Sequence, residues 1–181
     1  NVTKFLNKKK INFIRFREPG GTKNSEKLRK LILSKNSNFN KLTDLYLYFA
    51  SRSENYEKIL KKNYRKKTIL IDRFIHSTIA YQSYGMNIDK KIIEINNKYI
   101  IKDVKPDLIF LLLVNKKNFK KRIGLRKNKN RYDEFKYDFY KNVQNGYLKI
   151  LKNNKKCVII DSNKDIEINK NKILKKIEEL I

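Results

Sequence analysis

The chain has 181 residues, of which 40% are hydrophobic, and this length suits a single domain with a buried core. It carries 45 lysines and arginines against 18 acidic residues, a formal net charge of +27. No stretch of about 18 or more apolar residues occurs, so the sequence predicts no membrane-spanning helix. The single cysteine, Cys157, excludes an internal disulfide and fits a reducing cytoplasm.

The positive charge has two possible explanations. A strongly basic chain favours polyanions, either nucleic acid or small phosphorylated ligands. The excess is mostly lysine, however, and it is spread along the chain among asparagine and isoleucine. These residues have AT-rich codons, so a biased genome also explains the charge. Because no recognition-helix or RNA-binding motif is present, we expect no nucleic-acid partner.

Apolar runs alternate with amphipathic segments along the chain. In order, the pattern predicts a strand at 11–16, helices at 24–33 and 43–62, a strand at 68–71, a helix at 89–102, a strand at 108–114, a helix at 133–152, a strand at 157–160 and a helix at 166–181. The polar stretch 127–130 is predicted to be a mobile loop, and the run 108–114 a strand covered on both faces. Alternating strands and helices predict an α/β fold, a three-layer arrangement with a parallel sheet between helices on both faces.

Ligands of such sheets bind beyond the carboxyl ends of the strands. The predicted strands are followed in turn by residues 17–22, by Asp72-Arg73, by a segment that leads to Arg122, Arg126 and Arg131, and by residues 161–163. Arginine suits phosphate because its planar fork donates two parallel hydrogen bonds. Phe49 and Arg52 share one helix face, where they could stack a base and hold its phosphate. A core phenylalanine beside a solvated arginine is the alternative.

A series of short motifs then follows in a fixed order. These are Arg-Glu-Pro-Gly-Gly-Thr at 17–22, Leu-Arg at 28–29, Leu-Tyr-Leu-Tyr-Phe-Ala-Ser-Arg at 45–52, a box from Asp-Arg-Phe to Ala-Tyr-Gln at 72–82, Pro-Asp-Leu at 106–108, Phe-Tyr at 139–140 and Asn-Gly-Tyr-Leu at 145–148. The ordered set resembles the thymidylate kinase family and covers nearly the whole chain. The resemblance implies a P-loop nucleoside monophosphate kinase-like fold, and transfer of a phosphoryl group from ATP to dTMP with Mg²⁺. It also implies a cytoplasmic homodimer.

The resemblance implies roles for side chains around dTMP. The acceptor phosphate, which must approach a γ-phosphate of like charge, would be surrounded by Arg29, Arg52 and Arg73. The nucleoside would be contacted by Phe49 stacked on thymine, by Thr78 and Gln82 at the polar edge of the base with Ser77 nearby, and by Tyr81 against the sugar. Glu18 would stand near the sugar and Mg²⁺ region, or alternatively cap backbone N–H groups in the Pro-Gly turn.

Residues of about 122–132 resemble the lid that closes over ATP in this family. The resemblance implies that Arg122 and Arg126 contact ATP, that Arg126 reaches the transferring phosphoryl group, and that Arg131 is the reserve for that role. A basic exposed loop is the alternative explanation. Asp72 would join the Mg²⁺ and water network, or else form a salt bridge or a cap. His76, the only histidine, has no role in the pattern and is predicted at the surface or at a helix start.

One departure from the family pattern concerns the ATP phosphates. The family opens with a strand and a Gly-x-x-x-x-Gly-Lys-Ser/Thr loop whose N–H groups hold them. None of the five glycines here is followed by Lys-Ser or Lys-Thr, and residues 1–6 resemble the middle of the helix beyond that loop. We expect the natural protein to carry the strand and loop upstream, which its coding sequence would test. A non-catalytic nucleotide binder is the alternative.

Overall fold

Each of the predicted strands is present in the computed structural model, which describes residues 1–181. The strands are β1 (Phe13–Arg17), β2 (Thr68–Asp72), β3 (Ile109–Leu113) and β4 (Cys157–Asp161). They pair in parallel, β1 with β2 and β3 with β4, as two two-stranded ladders. The predicted parallel direction of the strands is therefore confirmed.

Helices occupy most of the remaining chain. They are α1 (Val2–Lys8), α2 (Lys23–Leu33), α3 (Lys41–Asn55), α4 (Lys61–Asn63), α5 (Ile75–Thr78), α6 (Lys90–Ile101), α7 (Lys116–Gly124), α8 (Tyr137–Leu151) and α9 (Ile166–Glu178). π-Helical turns at Tyr56–Leu60 and Ile79–Gly85 extend α3 and α5. None of these helices has the length and apolar character needed to cross a bilayer.

Three helical segments differ from the sequence prediction. Helix α5 and its π-helical extension, residues 75–85, lie between the predicted elements and were not predicted. The helix predicted from residue 133 begins only at Tyr137, because Arg131–Glu134 form a separate 3₁₀ turn that ends at the extended residue Phe135. Helix α7 was not predicted, since its segment has few apolar residues. It forms because Asn115 accepts a hydrogen bond from the N–H of Asn118 and so caps its first turn.

The chain forms two compact units, and the single-domain assignment stays a prediction. The first comprises Phe13–Val104 and Lys129–Tyr147. Its β1–β2 ladder is covered by a cluster of buried side chains from several elements: Phe16, Tyr56, Leu60, Phe74, Ile101 and Val104. Side-chain caps from Thr22, Asn40 and Asp89 fix where α2, α3 and α6 begin.

The second unit comprises Asn1–Asn12, Lys105–Asn128 and Leu148–Ile181 and contains the β3–β4 ladder. Leu111 and Ile160 are buried, whereas Leu112 is 56% and Ile159 38% exposed. The prediction that both faces of β3 are covered is therefore wrong for Leu112. In the ladder the exposed Leu112 pairs with the buried Ile160, and the exposed Ile159 pairs with the buried Leu111. On each face of the ladder, therefore, one side chain of the pair is buried and its neighbour is exposed.

Candidate functional site

The turn after β1 is packed against two helices. Gly20 and Gly21 have φ values of +114° and +113°, which side chains other than glycine rarely adopt. The Gly20 N–H donates to Ser51 Oγ at 3.2 Å, and the Gly21 N–H donates to Glu26 Oε1 at 3.0 Å. A Cβ on Gly20 would lie 2.5 Å from Glu26 Oε1. The Pro-Gly-Gly motif is therefore needed for the turn to contact α2 and α3.

Arg52 lies buried at the centre of a polar network. Its side chain is 2% exposed and pairs with the 4%-exposed carboxylate of Glu18, with Nη2 at 2.7 Å and Nε at 2.8 Å from Oε2. Nη1 donates to Asn97 Oδ1 at 2.6 Å, and Nη2 donates to Thr78 Oγ1 at 2.9 Å. A buried ion pair is stable only when further hydrogen bonds satisfy both groups, as they do here. The guanidinium thereby joins the turn after β1 to α3, α5 and α6.

The contacts of Arg52 and Glu18 exclude one of the two roles that the sequence left open for each residue. Arg52 is not a solvated neighbour of a core phenylalanine, although Phe49 is itself 4% exposed. Glu18 does not cap the Pro-Gly turn, because its carboxylate contacts Arg52 and, at 3.4 Å, Asn55 Nδ2, while the turn N–H groups bond to other side chains. The phosphate-binding role of Arg52 stays a prediction, since each of its nitrogens donates to a protein oxygen.

A second group of guanidinium side chains comes from Arg73, at the end of β2, and from Arg29 of α2. Arg73 follows β2 with a φ of +66°, a left-handed conformation that costs a non-glycine residue about 1 kcal/mol or more. Its exposed guanidinium lies 4.8 Å from the centre of the Tyr81 ring, and Nη2 donates to Tyr81 Oη at 3.1 Å. Arg29 Nη1 donates to the Pro19 carbonyl at 2.7 Å. Partial burial and the like charges of Arg17 and Arg73 lower the pKa of Arg29. Arg17 is paired with Glu26 at 3.3 Å, so Arg29 and Arg73 are the two cations that favour an anion between them.

Beside them lie the side chains predicted to contact the nucleoside. Thr78 is buried and engaged by Arg52, and Ser77 Oγ accepts a hydrogen bond from the Tyr147 hydroxyl at 2.6 Å. Gln82 is 1% exposed, and both polar atoms of its amide have no hydrogen-bond partner. A buried unpaired polar group costs about 1–3 kcal/mol, so a ligand that offers a donor and an acceptor would bind favourably there.

Asp72 is the carboxylate predicted near the metal. It ends β2 with an exposed side chain, and its backbone carbonyl accepts the Glu18 N–H at 2.9 Å. The structure contains no group of three or more histidine, cysteine or acidic side chains that could hold a metal ion. Mg²⁺ is often bound by one or two carboxylates together with substrate phosphates and waters. Asp72 alone therefore fits a nucleotide-borne Mg²⁺, and its role stays a prediction.

The predicted lid, residues 122–132, divides between the two compact units. Arg122 belongs to α7, where Nη2 donates to the Ser162 carbonyl at 2.7 Å, and Arg126 follows the helix end with an exposed side chain. Both lie in the unit of β3 and β4. Arg131 begins the 3₁₀ turn in the other unit, where it pairs with the buried carboxylate of Asp44. The basic-loop alternative therefore does not describe Arg131, and the catalytic roles of Arg126 and Arg131 stay predictions.

Sequence reasoning missed several polar side chains of the site. Asn55 donates to the Gly20 carbonyl at 2.7 Å and accepts from Thr22 N and Ser25 Oγ at 3.3 and 3.0 Å. It lies three residues after Arg52 on the same face of α3, so helical periodicity could have found it. Asp44 and Asn97 were also missed, because their partners are distant in sequence.

The chain is similar to proteins of one family. The model of the family described as thymidylate kinase matches residues 1–173. The thymidylate kinase of Mycoplasma capricolum is 38% identical over 168 residues, which cover 90% of this chain and 79% of that protein. That of Ehrlichia ruminantium is 38% identical over 164 residues, 90% of this chain and 78% of that protein. The crystal structure of the Ehrlichia chaffeensis thymidylate kinase superposes with a TM-score of 0.77 at 31% identity, over 98% of this chain and 87% of that one. This match confirms the predicted α/β fold class.

The buried ion pair generates a stability prediction. Replacing Arg52 with methionine removes the partners of Glu18, Thr78 and Asn97, and we expect the free energy of unfolding to fall by about 3–5 kcal/mol. The matched control is Lys61→Met, which breaks an exposed pair with Glu57 and should change stability little. Urea unfolding followed by circular dichroism measures both. Equal small effects would show that the Arg52 network is dispensable.

His76 generates a prediction about pH. It is the second residue of α5, as the helix-start prediction expected, and burial together with the positive charge of Arg52 lowers its pKa from 6.5 to about 4. Between pH 6.5 and 4 the unfolded chain therefore binds a proton that the folded chain excludes. Stability should fall as the pH decreases through this window, by on the order of 2 kcal/mol.

The measurement is urea unfolding of the unchanged chain and of His76→Gln at several pH values. Acidic groups titrate in both proteins, so the difference between the two profiles isolates His76. We expect the variant to lose less stability between pH 6.5 and 4. Parallel profiles would contradict the lowered pKa.

Proposed function

Because the chain belongs to the thymidylate kinase family, we propose that it transfers the γ-phosphoryl group of ATP to dTMP. In this reaction an oxygen of the dTMP phosphate attacks the γ-phosphorus, the bond to the bridging β-phosphate oxygen breaks, and dTDP and ADP are formed. The observation that carries the proposal is the pair of guanidinium groups of Arg29, bonded to the turn after β1, and of Arg73, which follows β2. Such a pair suits an acceptor that is itself a phosphate.

The acceptor phosphate lies between Arg29 and Arg73 in this proposal. A phosphate monoester carries about −1.5 to −2 charges near neutral pH, and the γ-phosphate that it meets is also negative. Fixed positive side chains reduce that repulsion without having to reorganise during the reaction. The left-handed backbone of Arg73 and the carbonyl bonded by Arg29 support the proposal, since they fix both groups before a ligand arrives.

The nucleoside occupies the neighbouring polar and aromatic side chains. Phe49 stacks on thymine, and the amide of Gln82 bonds to the polar edge of the base, which has both donors and acceptors. The unpartnered atoms of that buried amide support this assignment. Ser77 and Thr78 lie beside the base. Tyr81, held by Arg73, lies against the sugar, where its ring disfavours a 2′-hydroxyl.

Arg122 and Arg126 contact ATP in this proposal. Arg126 reaches the transferring phosphoryl group, where charge is spread in the transition state. Asp72 would hold Mg²⁺, which would neutralise charge on the ATP phosphates. Since the single cysteine excludes an internal disulfide, the proposed location is the cytoplasm, which cell fractionation would test.

A homodimer is part of the proposal. Ile92, Ile95 and Tyr99 follow one another along one face of α6 and are 37%, 67% and 84% exposed. A twofold dimer presents the same patch from both copies, so one apolar helix face is enough to build its centre. The exposed stripe on α6 supports a second copy of this chain as the partner that covers it.

The dimer is tested with a charge placed in the stripe. Ile95→Lys should weaken self-association about tenfold or more, because a lysine would be desolvated against its own copy. The control is Ile168→Lys, which changes an exposed isoleucine of α9 and should have no effect. Sedimentation velocity measures both. A monomeric unchanged chain, or equal effects of the two variants, would contradict the proposed interface.

Activity is tested by ADP release in a coupled assay with the complete gene product. We expect turnover with dTMP and ATP, and none with dUMP, AMP or GMP. Arg73→Met should raise the KM for dTMP by about 10- to 100-fold, since it removes a charge-assisted hydrogen bond to the phosphate.

The control for that variant is Arg65→Met. Arg65 also has a left-handed backbone, with a φ of +62°, and its guanidinium lies 5.5 Å from the Tyr64 ring centre, but it lies outside the proposed site. The Arg65→Met variant should leave the KM for dTMP unchanged. Turnover of another nucleotide would contradict the proposal, and binding of dTMP without turnover would favour a non-catalytic nucleotide binder.

A further inference from the structure

A buried carboxylate lies near the proposed site without a role in it. Asp44, in the first turn of α3, is 2% exposed. Oδ2 accepts a hydrogen bond from the Tyr132 hydroxyl at 2.7 Å, and Oδ1 pairs with the guanidinium of Arg131. An ionised carboxylate buried without such partners would cost several kcal/mol. Both partners belong to the 3₁₀ turn Arg131–Glu134, so Asp44 fastens this turn to α3.

The turn presents both side chains in a fixed arrangement. Asn130 and Asp133 form a reciprocal capping box, in which Asn130 Oδ1 accepts from the Tyr132 N–H at 2.9 Å and Asp133 Oδ2 accepts from the Asn130 N–H at 2.8 Å. The Arg131 guanidinium lies 5.0 Å from the centre of the Tyr132 ring. The hydroxyl of Tyr140 donates to the Tyr132 carbonyl. Because the turn is fixed in this way, the position of the Tyr132 ring depends on the position of Asp44.

Tyr132 in turn contacts the side chains assigned to the acceptor. Its ring meets the ring of Tyr81 edge-on, with the centres 6.1 Å apart and the planes at 70°. Tyr81 carries the guanidinium of Arg73 on its face and accepts its hydrogen bond. A continuous series of contacts therefore joins Asp44 to Arg73.

We propose that Asp44 is a positioning residue: through Arg131 and Tyr132 it holds Tyr81 and Arg73 in the arrangement that binds the acceptor phosphate. The inference rests on the proposed function. It also assigns Arg131 a different role from the one that the sequence suggested. The charge of Arg131 neutralises a buried carboxylate on α3, so Arg131 orders the wall of the acceptor site and Arg126 remains the arginine for the transferring group.

The test measures dTMP binding by calorimetry to the full chain and its variants. Asp44→Asn keeps an oxygen for Tyr132 but removes the charge that pairs with Arg131, and it should raise the Kd for dTMP about tenfold. Tyr132→Phe, which removes one hydroxyl and leaves the ion pair, should raise it about threefold and guards against misfolding of the first variant. Glu54→Gln, on the same helix with an exposed bond to Asn24, should leave the Kd unchanged.

A double variant separates positioning from a merely structural role. If Asp44 acts through Arg73, then Asp44→Asn should add less than about twofold to the Kd in an Arg73→Met background. Fully additive effects would overturn the inference, as would unchanged binding by Asp44→Asn. If the unchanged chain binds no dTMP, the proposed function fails and the inference falls with it. If the chain binds dTMP but the Asp44 variants bind equally well, the inference alone fails.

Discussion

A buried ion pair between Arg52 and Glu18 connects the parts of the molecule that surround the proposed acceptor site. Glu18 belongs to the turn after β1 and Arg52 to α3, while the other partners of the guanidinium come from α5 and α6. Neither charge could remain in this low-dielectric position alone, so each element must be in place for the others to be stable. The relative positions of the strand ends, and hence of Arg29 and Arg73, depend on this constraint.

Few of the positively charged side chains contribute to the fold or to the proposed site. Most lysines are exposed, and those that pair with glutamates at the surface, such as Lys61 with Glu57, contribute little to the fold. The guanidinium groups that stabilise the fold are neutralised in the interior, and those of the proposed site lie close to one another. Arg52 and Arg131 each form an ion pair with a buried carboxylate. The positive charges of Arg29 and Arg73 lie beside the proposed site, where they repel each other. The site is therefore marked by guanidinium groups that are held in place by neighbouring atoms, and not by the net charge of the chain.

The sequence predicted the strands and most helices because their apolar residues recur at the spacing of the element. Helix α7 was missed since its stability comes from the Asn115 cap and not from an apolar face, and the start of α8 was misplaced because the capping box of Asn130 forms a separate turn. The rule for parallel sheets located Glu18 and Arg73 at the strand ends. It could not locate Asp44 or Asn97, whose importance arises from buried contacts between residues far apart in the chain.

The left-handed backbone at Arg73 links ligand recognition to thermal tolerance. Glycine or asparagine would relieve the unfavourable conformation and would raise stability by a fraction of the strain. Either replacement would also remove the guanidinium. Random mutagenesis with selection for heat resistance would therefore tend to remove this arginine, and only a simultaneous demand for nucleotide metabolism would retain it. This single dihedral angle marks a position where robustness and activity are in direct competition.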